Sequence, residues 1–229
     1  MKNAEPGWFV VERFTAAFRR QVHLLLAWGI DAAQTKVKPD SEEEEITGFI
    51  AAAIQHCLIR QPVSWTKFYA VRNEHPIPSD EHPGKKRNDI DLIIEFVAGV
   101  GRPEFVFEAK QLNYAKGHQR ERNYIDAKGM ERFLSGDYAD YTARYPEVGM
   151  LGYVLSDSAA TWSERLKAAI VAKTAELALR RPQESIRIVD AFPLEWTSEH
   201  DRSSANRPIT IYHILIPCIE TSGNSSTCP

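Results

Sequence analysis

Two stretches decide the fold: Asn88-Asp89-Ile90-Asp91-Leu92-Ile93-Ile94 and Phe105-Val106-Phe107-Glu108-Ala109-Lys110. Each is an apolar, strand-prone run that carries ionisable side chains. A buried strand rejects charge unless the charge is paired or holds a metal. Side chains alternate along a strand, so Glu108 and Lys110 share one face of the second stretch, and Asp89 and Asp91 share one face of the first. Between the stretches, Ala98 to Pro103 holds two glycines, which fits a hairpin loop. Pairing the strands as a hairpin sets an aspartate diagonally across from Glu108. Two carboxylates, a backbone carbonyl and waters suit Mg²⁺, a hard ion that prefers oxygen ligands. A lysine two residues on would sit beside a metal-bound water, where it can lower the water's pKa, orient it or offset charge on an attacked phosphate.

Working outward, Val11, Phe14, Phe18, Val22 and Leu25 recur every three or four residues between Trp8 and Trp28. The spacing predicts an amphipathic helix, ended by Gly29 and followed by a linker with Pro39. Ser41 is expected to cap a second helix, with Glu42 to Glu45 in its first turn, where the helix dipole favours anions. Its apolar face is Ile46, Phe49, Ile50, Ala53, Ile54 and Cys57. Lys67 to Val71 reads as a short strand, and His75 to Lys86 as a proline-containing loop. Downstream, Tyr124 to Ala139 and Thr161 to Leu179 read as helices, the latter with Trp162, Leu166, Ile170 and Leu177 inward. Gly149 to Leu155, Ile186 to Val189 and Ile209 to Ile216 read as strands. The order predicts an α/β fold, a mixed sheet with helices on both faces. One domain is expected over 1–220, with 1–38 a helical extension, a core at about 41–175 and a disordered tail at 221–229.

The composition narrows the function. The chain has 229 residues, 26% of them charged, and a net charge of -3, so any nucleic-acid surface must be a local patch. The longest uncharged run, Ile46 to Ile59, is 14 residues, short of the roughly 20 that span a bilayer. Met1 to Phe14 shows no signal-peptide pattern, and the three cysteines have no zinc spacing, so a cytoplasmic setting without membrane association is expected. The phosphate-binding, dinucleotide-binding, zinc-protease and serine-hydrolase motifs GxxxxGK[ST], GxGxxG after a strand, HExxH and GxSxG do not occur.

The arrangement resembles the PD-(D/E)XK nuclease superfamily, the restriction-endonuclease-like fold. Glu108-Ala109-Lys110 matches its Glu-x-Lys, and Asp91, followed by Leu92-Ile93-Ile94, matches its aspartate; Asp89 is the competitor. Ile90 stands where the signature has proline. The resemblance implies an α-β-β-β-α-β core, here with an added N-terminal helix and added C-terminal strands. It implies Mg²⁺, replaceable by Mn²⁺, held by Asp91 and Glu108, with Lys110 acting on the water. It also implies an acidic residue on the preceding helix, for which Glu43 is the first candidate and Glu42 the second. The implied activity is phosphodiester hydrolysis of nucleic acid, DNA ahead of RNA, in a prokaryotic defence or restriction setting. Charges paired within the strands for structure alone, a catalytically silent binding module and a ribonuclease are the rival readings.

Lys85, Lys86 and Arg87 precede the Asp91 strand, and Gln111, Lys116, Arg120 and Arg122 follow the Glu108 strand, together with His118, Lys128, Arg132, Tyr114 and Tyr124. Basic and aromatic groups beside a metal site suit a nucleic-acid track. A duplex has two antiparallel strands, so a homodimer, or a complex with another subunit such as an ATPase or helicase, is expected. The apolar surplus of the first helix, with Phe14, Phe18, Leu24, Leu25 and Leu26, marks it as the expected contact.

Overall fold

The two charged strands lie in one half of a seven-stranded sheet. The structure is a computed structural model that describes residues 7–77, 89–98, 101–113, 119–135, 138–139, 142, 145–202 and 207–218; the side chains of 7–14 and 119–120 are not among them. The strands are β1 (Tyr69–Pro76), β2 (Asp89–Phe96), β3 (Glu104–Leu112), β4 (Glu147–Val154), β5 (Leu179–Ser185), β6 (Trp196–His200) and β7 (Ile209–Pro217). Their order in the sheet is β1-β2-β3-β4-β7-β6-β5. Pairing is antiparallel from β1 to β3, parallel from β3 through β4 to β7, and antiparallel again out to β5.

Helices cover both faces. Helix α1 (Gly7–Ala33) and α2 (Glu43–Arg60) cover one, burying Leu92, Ile94, Phe105, Phe107 and Ala109. Helix α3 (Gln119–Ile125) and α4 (Ala159–Ala172) lie on the other, over Ile93, Val106, Val148 and Met150. A strand covered on both faces must be apolar throughout, and β3 is buried at every position after its first. Glu108 and Lys110 stand out against that rule. Several polar groups inside the second layer are paired, although among the described residues the buried Trp196 indole N–H is not. Tyr124 bonds His213, His213 and His200 share Ser198, and His200 reaches the Leu177 carbonyl, tying α3 to β7 and β6.

The α/β class and the order α2-β1-β2-β3-α3-β4 agree with the sequence reading, and several boundaries do not. Gly29 does not end α1. It is buried at the crossing with α2, where a Cβ would lie 2.4 Å from Ile54 Cγ1 and 3.1 Å from the Ile50 carbonyl. Glycine serves close approach there, and the helix runs on to Ala33. Ser41 is not the cap of α2; its hydroxyl accepts from Lys38 N–H, and Glu42 holds the cap position. The expected helix from Tyr124 to Ala139 is broken: α3 ends at Ile125, the 3₁₀ turn Met130–Phe133 follows, and 138–139 are helical again. Helix α4 stops at Ala172, and left-handed Ala178 (φ 46°) turns the chain into β5. Ile186 to Val189 is a loop rather than a strand. The C-terminal strands are not an appendage, because β7 pairs with β4 inside the sheet. Nor does α1 stand outside the core. Phe18, Val22, Leu25 and Leu26 are buried in it, and each is worth about 1.5–3 kcal/mol on full burial. Of the surplus that pointed to an intermolecular contact, Phe18, Leu25 and Leu26 are buried within the chain and Leu24 packs partly buried against the core, while the Phe14 side chain lies outside the described residues. No helix among the described residues is long and apolar enough to cross a membrane. Lys85, Lys86, Arg87, Lys116, His118, Tyr114 and the tail 221–229 lie outside the described residues.

The α1–α2 crossing gives a stability test. Gly29→Val puts a branched side chain against Ile54 and the Ile50 carbonyl. The expected loss is about 1–3 kcal/mol, read in thermal unfolding as about 2–4 °C per kcal/mol for a chain of this size. An unchanged midpoint would show that the helices do not approach this closely.

Candidate active site

The site forms where β2 and β3 separate. Their ladder ends with Leu92 opposite Phe107. One step on, Asp91 would face Glu108, but the Ala109 N–H donates to the Asp91 carboxylate (2.6 Å to Oδ2) instead of to a strand carbonyl. The aspartate side chain thus takes the ladder position. Asp89, two residues earlier, is exposed at the strand end opposite Pro76. The structure therefore brings Asp91, and not Asp89, to Glu108.

Three carboxylates gather on one ammonium. Lys110 Nζ lies 2.7 Å from Glu108 Oε1, 2.9 Å from Glu43 Oε1 and 3.8 Å from Asp91 Oδ2, and it also donates to the Ala109 carbonyl. Glu43 arrives from the first turn of α2, and its second oxygen accepts from Gln111 N–H at 2.9 Å. Glu42, the second helix candidate, holds the N-cap position without a side-chain capping bond and is exposed, with no hydrogen bond to these described residues. The floor is closed and the mouth is open. The Glu108 side chain has no exposure, whereas the Asp91 and Glu43 side chains keep 22% and 25%.

Two partners of Glu108 come from the segment after α3. Arg132 Nη1 donates to Glu108 Oε1 at 2.6 Å, and the Tyr138 hydroxyl donates to Oε2 at 2.8 Å. The sequence pattern places Arg132 in a nucleic-acid track and gives Tyr138 no role, and the structure sets both on Glu108. No local signal marks Tyr138, which stands in the polar stretch Ser135-Gly136-Asp137-Tyr138-Ala139-Asp140; its burial is what gives the phenol a need for a hydrogen-bond partner. Gln111 is also reassigned. It is buried, and its amide donates to the Ser41 carbonyl, so it ties β3 to the start of α2 rather than facing a ligand. Arg122 is exposed on α3, and the side chain of Arg120 lies outside the described residues.

The charges shape one another. Burial, and then the charge of Glu108, push the Asp91 carboxyl up to about 7, against the pull of Lys110 and the Ala109 N–H. Burial alone would lower the Lys110 ammonium, but Glu108, Asp91 and Glu43 outweigh it and raise its pKa. Lys110 is therefore a fixed cation. Among the described residues no three His, Cys, Asp or Glu side chains form a ready-made ligand set. The donors near Lys110 are all oxygens, namely the two strand carboxylates, the Glu43 carboxylate from α2 and the Ala109 carbonyl. Mg²⁺ commonly binds through one or two carboxylates and completes its shell with water and substrate, so the residues present fit that ion. Asp91 Oδ1 accepts no hydrogen bond from the described residues.

The raised Asp91 carboxyl has a thermodynamic signature. The native state keeps this proton up to about pH 7, whereas the unfolded chain releases it near 4. Between those values the native state binds more protons, so its stability falls as pH rises. Asp91→Asn removes the cost. In metal-free buffer its unfolding midpoint should gain on wild type more at pH 8 than at pH 5, at about 1.4 kcal/mol per pH unit of separation. A gain that does not change with pH would mean the carboxyl is not held protonated.

Comparison of the chain with protein-family models, with curated proteins and with solved structures finds no match.

Proposed function

We propose that the protein is a Mg²⁺-dependent phosphodiester hydrolase of the PD-(D/E)XK type acting on nucleic acid, DNA ahead of RNA. Its catalytic core would be the restriction-endonuclease-like unit α2-β1-β2-β3-α3-β4. The observation that carries the reading is the convergence of Asp91, Glu108 and Glu43 on Lys110 at the open end of an otherwise apolar strand. Asp91, Glu108 and the Ala109 carbonyl are the groups that would hold the ion. When bound, Mg²⁺ polarises a phosphoryl oxygen and supplies a nucleophilic water at neutral pH.

The remaining work falls to the chain's own residues. Lys110 keeps its proton, so it orients the attacking water by donating to it, and it offsets charge on the phosphate; it does not act as a base. Glu43 holds the Lys110 ammonium and is itself held by Gln111 N–H. Asp91 must shed its proton to act as a ligand, so its strength as a ligand grows as pH rises through about 7. The proposed setting, a cytoplasmic prokaryotic defence or restriction system with a second copy or a partner ATPase or helicase, rests on the resemblance of the motif alone.

Cleavage assays on supercoiled, linear and single-stranded DNA and on RNA, with Mg²⁺ or Mn²⁺, test the reading. Glu108→Gln should abolish cleavage with the fold intact. Lys110→Ala should abolish turnover while ion binding survives, because lysine is not a ligand. Asp91→Asn should cost roughly 10²-fold or more, the scale of losing one electrostatic contact to the transition state, and Asp89→Asn far less. Activity that survives EDTA overturns the assignment. Ion binding without cleavage of any substrate would favour a silent binding module.

A further inference from the structure

Glu108 is fully buried and accepts three hydrogen bonds, and only one of the donors is neutral. Lys110 and Arg132 share Oε1, and Tyr138 takes Oε2. The Arg132 guanidinium also lies over the Tyr138 ring, 4.7 Å from its centroid, so the two side chains support each other. Their placement is set by backbone. Arg132 N–H bonds the Gly129 carbonyl in the 3₁₀ turn, and a Cβ on Gly129 would lie 2.1 Å from the Tyr124 carbonyl. Only glycine allows the chain to double back there and bring Arg132 to Glu108. Burial would lower the Arg132 guanidinium, but the charge of Glu108 and the hydrogen bond to it prevail and raise its pKa, so it is a permanent cation.

We propose that Arg132 and Tyr138 are positioning residues with opposite effects on the ion: Tyr138 orients Glu108 as a ligand, and Arg132 holds the affinity of the free protein for a divalent ion down. This rests on the reading of Asp91 and Glu108 as ligands. Among the described residues, and once Asp91 has shed its proton, the site sets three carboxylates, on Asp91, Glu108 and Glu43, against two cations, on Lys110 and Arg132. That leaves one negative charge to meet an ion carrying two positive ones. A phosphodiester supplies the missing charge. The ion and the nucleic acid therefore bind cooperatively, each raising the affinity for the other by the same factor. Without Arg132 the site would satisfy the ion by itself, and most of that coupling would vanish. Tyr138 carries no charge, so its removal only loosens the Glu108 carboxylate.

Titration of the full chain with Mn²⁺, read by electron paramagnetic resonance of the free ion and without nucleic acid, tests this. Arg132→Gln should bind Mn²⁺ about tenfold more tightly, because a like charge beside the ion is gone. Arg132→Lys should stay close to wild type. Tyr138→Phe should bind roughly tenfold more weakly, as expected for losing a hydrogen bond that orients a metal ligand. A phosphorothioate DNA duplex should tighten Mn²⁺ binding to wild type much more than to Arg132→Gln. A purely structural role would weaken binding in both variants, so Arg132→Gln binding Mn²⁺ no more tightly than wild type overturns the proposal. If thermal unfolding shows that Arg132→Gln does not fold, Tyr138→Phe carries the test alone, and an unchanged affinity overturns it. Wild type that binds no Mn²⁺ at millimolar concentration brings down the metal-site reading itself, an outcome distinct from variants that fail to separate.

Discussion

A carboxylate with no solvent exposure, Glu108, sits in a strand with neighbours on both sides and a layer packed against each face. The surrounding structure answers that constraint. Taking an ion out of water costs several kcal/mol even after relaxation, and its attraction to partners repays this only when the geometry is good and the other lone pairs are filled. Lys110 comes from the same strand, Arg132 and Tyr138 from the segment after α3, and Asp91 fills the broken ladder beside it. Replacing such a cluster with well-packed apolar residues is often neutral or stabilising. Stability alone therefore does not account for it, and that is the physical case for a chemical role.

How much of this was legible in the sequence depended on how local the cause was. The apolar runs of β2, β3, β4 and β7 announce themselves, because strands covered on both faces cannot alternate with polar residues. Strand β5, Leu-Arg-Arg-Pro-Gln-Glu-Ser, has no such signature. It is an edge strand, where Pro182 and charged residues are tolerated because one side of the ladder needs no partner. Ile186 and Ile188 had the composition of a strand, but they pack against the core from a loop. Gly29 shows the limit most clearly. A glycine that ends a helix and a glycine that lets two helices touch are the same letter, and only Ile54, 25 positions later, distinguishes them.

The site divides along the same line. Glu108, Lys110 and Asp91 were legible because strand alternation and an adjacent hairpin are local rules. Glu43 was legible because its place in the first turn of α2 follows from the hydrophobic period. Arg132 and Tyr138 lie 24 and 30 residues from Glu108, across a turn whose path depends on Gly129. Nothing local links them to the strand. Arg132, as a basic residue after the Glu108 strand, suggests a surface for phosphates, and Tyr138 suggests nothing in particular; the structure uses both to hold a buried carboxylate. Gln111 was misread for a related reason. Directly after the lysine it has the opposite parity, so it faces the α2 side of the sheet and bonds the Ser41 carbonyl.

Exposure is graded across the cluster. A network kept for structure gains from burying and saturating all its members equally, since every half-satisfied polar atom costs free energy. Here the saturation is graded. Glu108 is sealed with three donors, whereas Asp91 has an oxygen that takes no hydrogen bond from the described residues, and Asp91 and Glu43 keep about a quarter of their side-chain surface open. The acidic edge therefore faces solvent while its inner carboxylate is immobilised. That arrangement pushes the Asp91 carboxyl up to about 7, mainly through burial, while part of its side chain stays open to solvent. A perturbed carboxyl at the mouth of a buried, hydrogen-bonded floor is the kind of group that functional sites present, and the proposed metal-assisted reaction would use it.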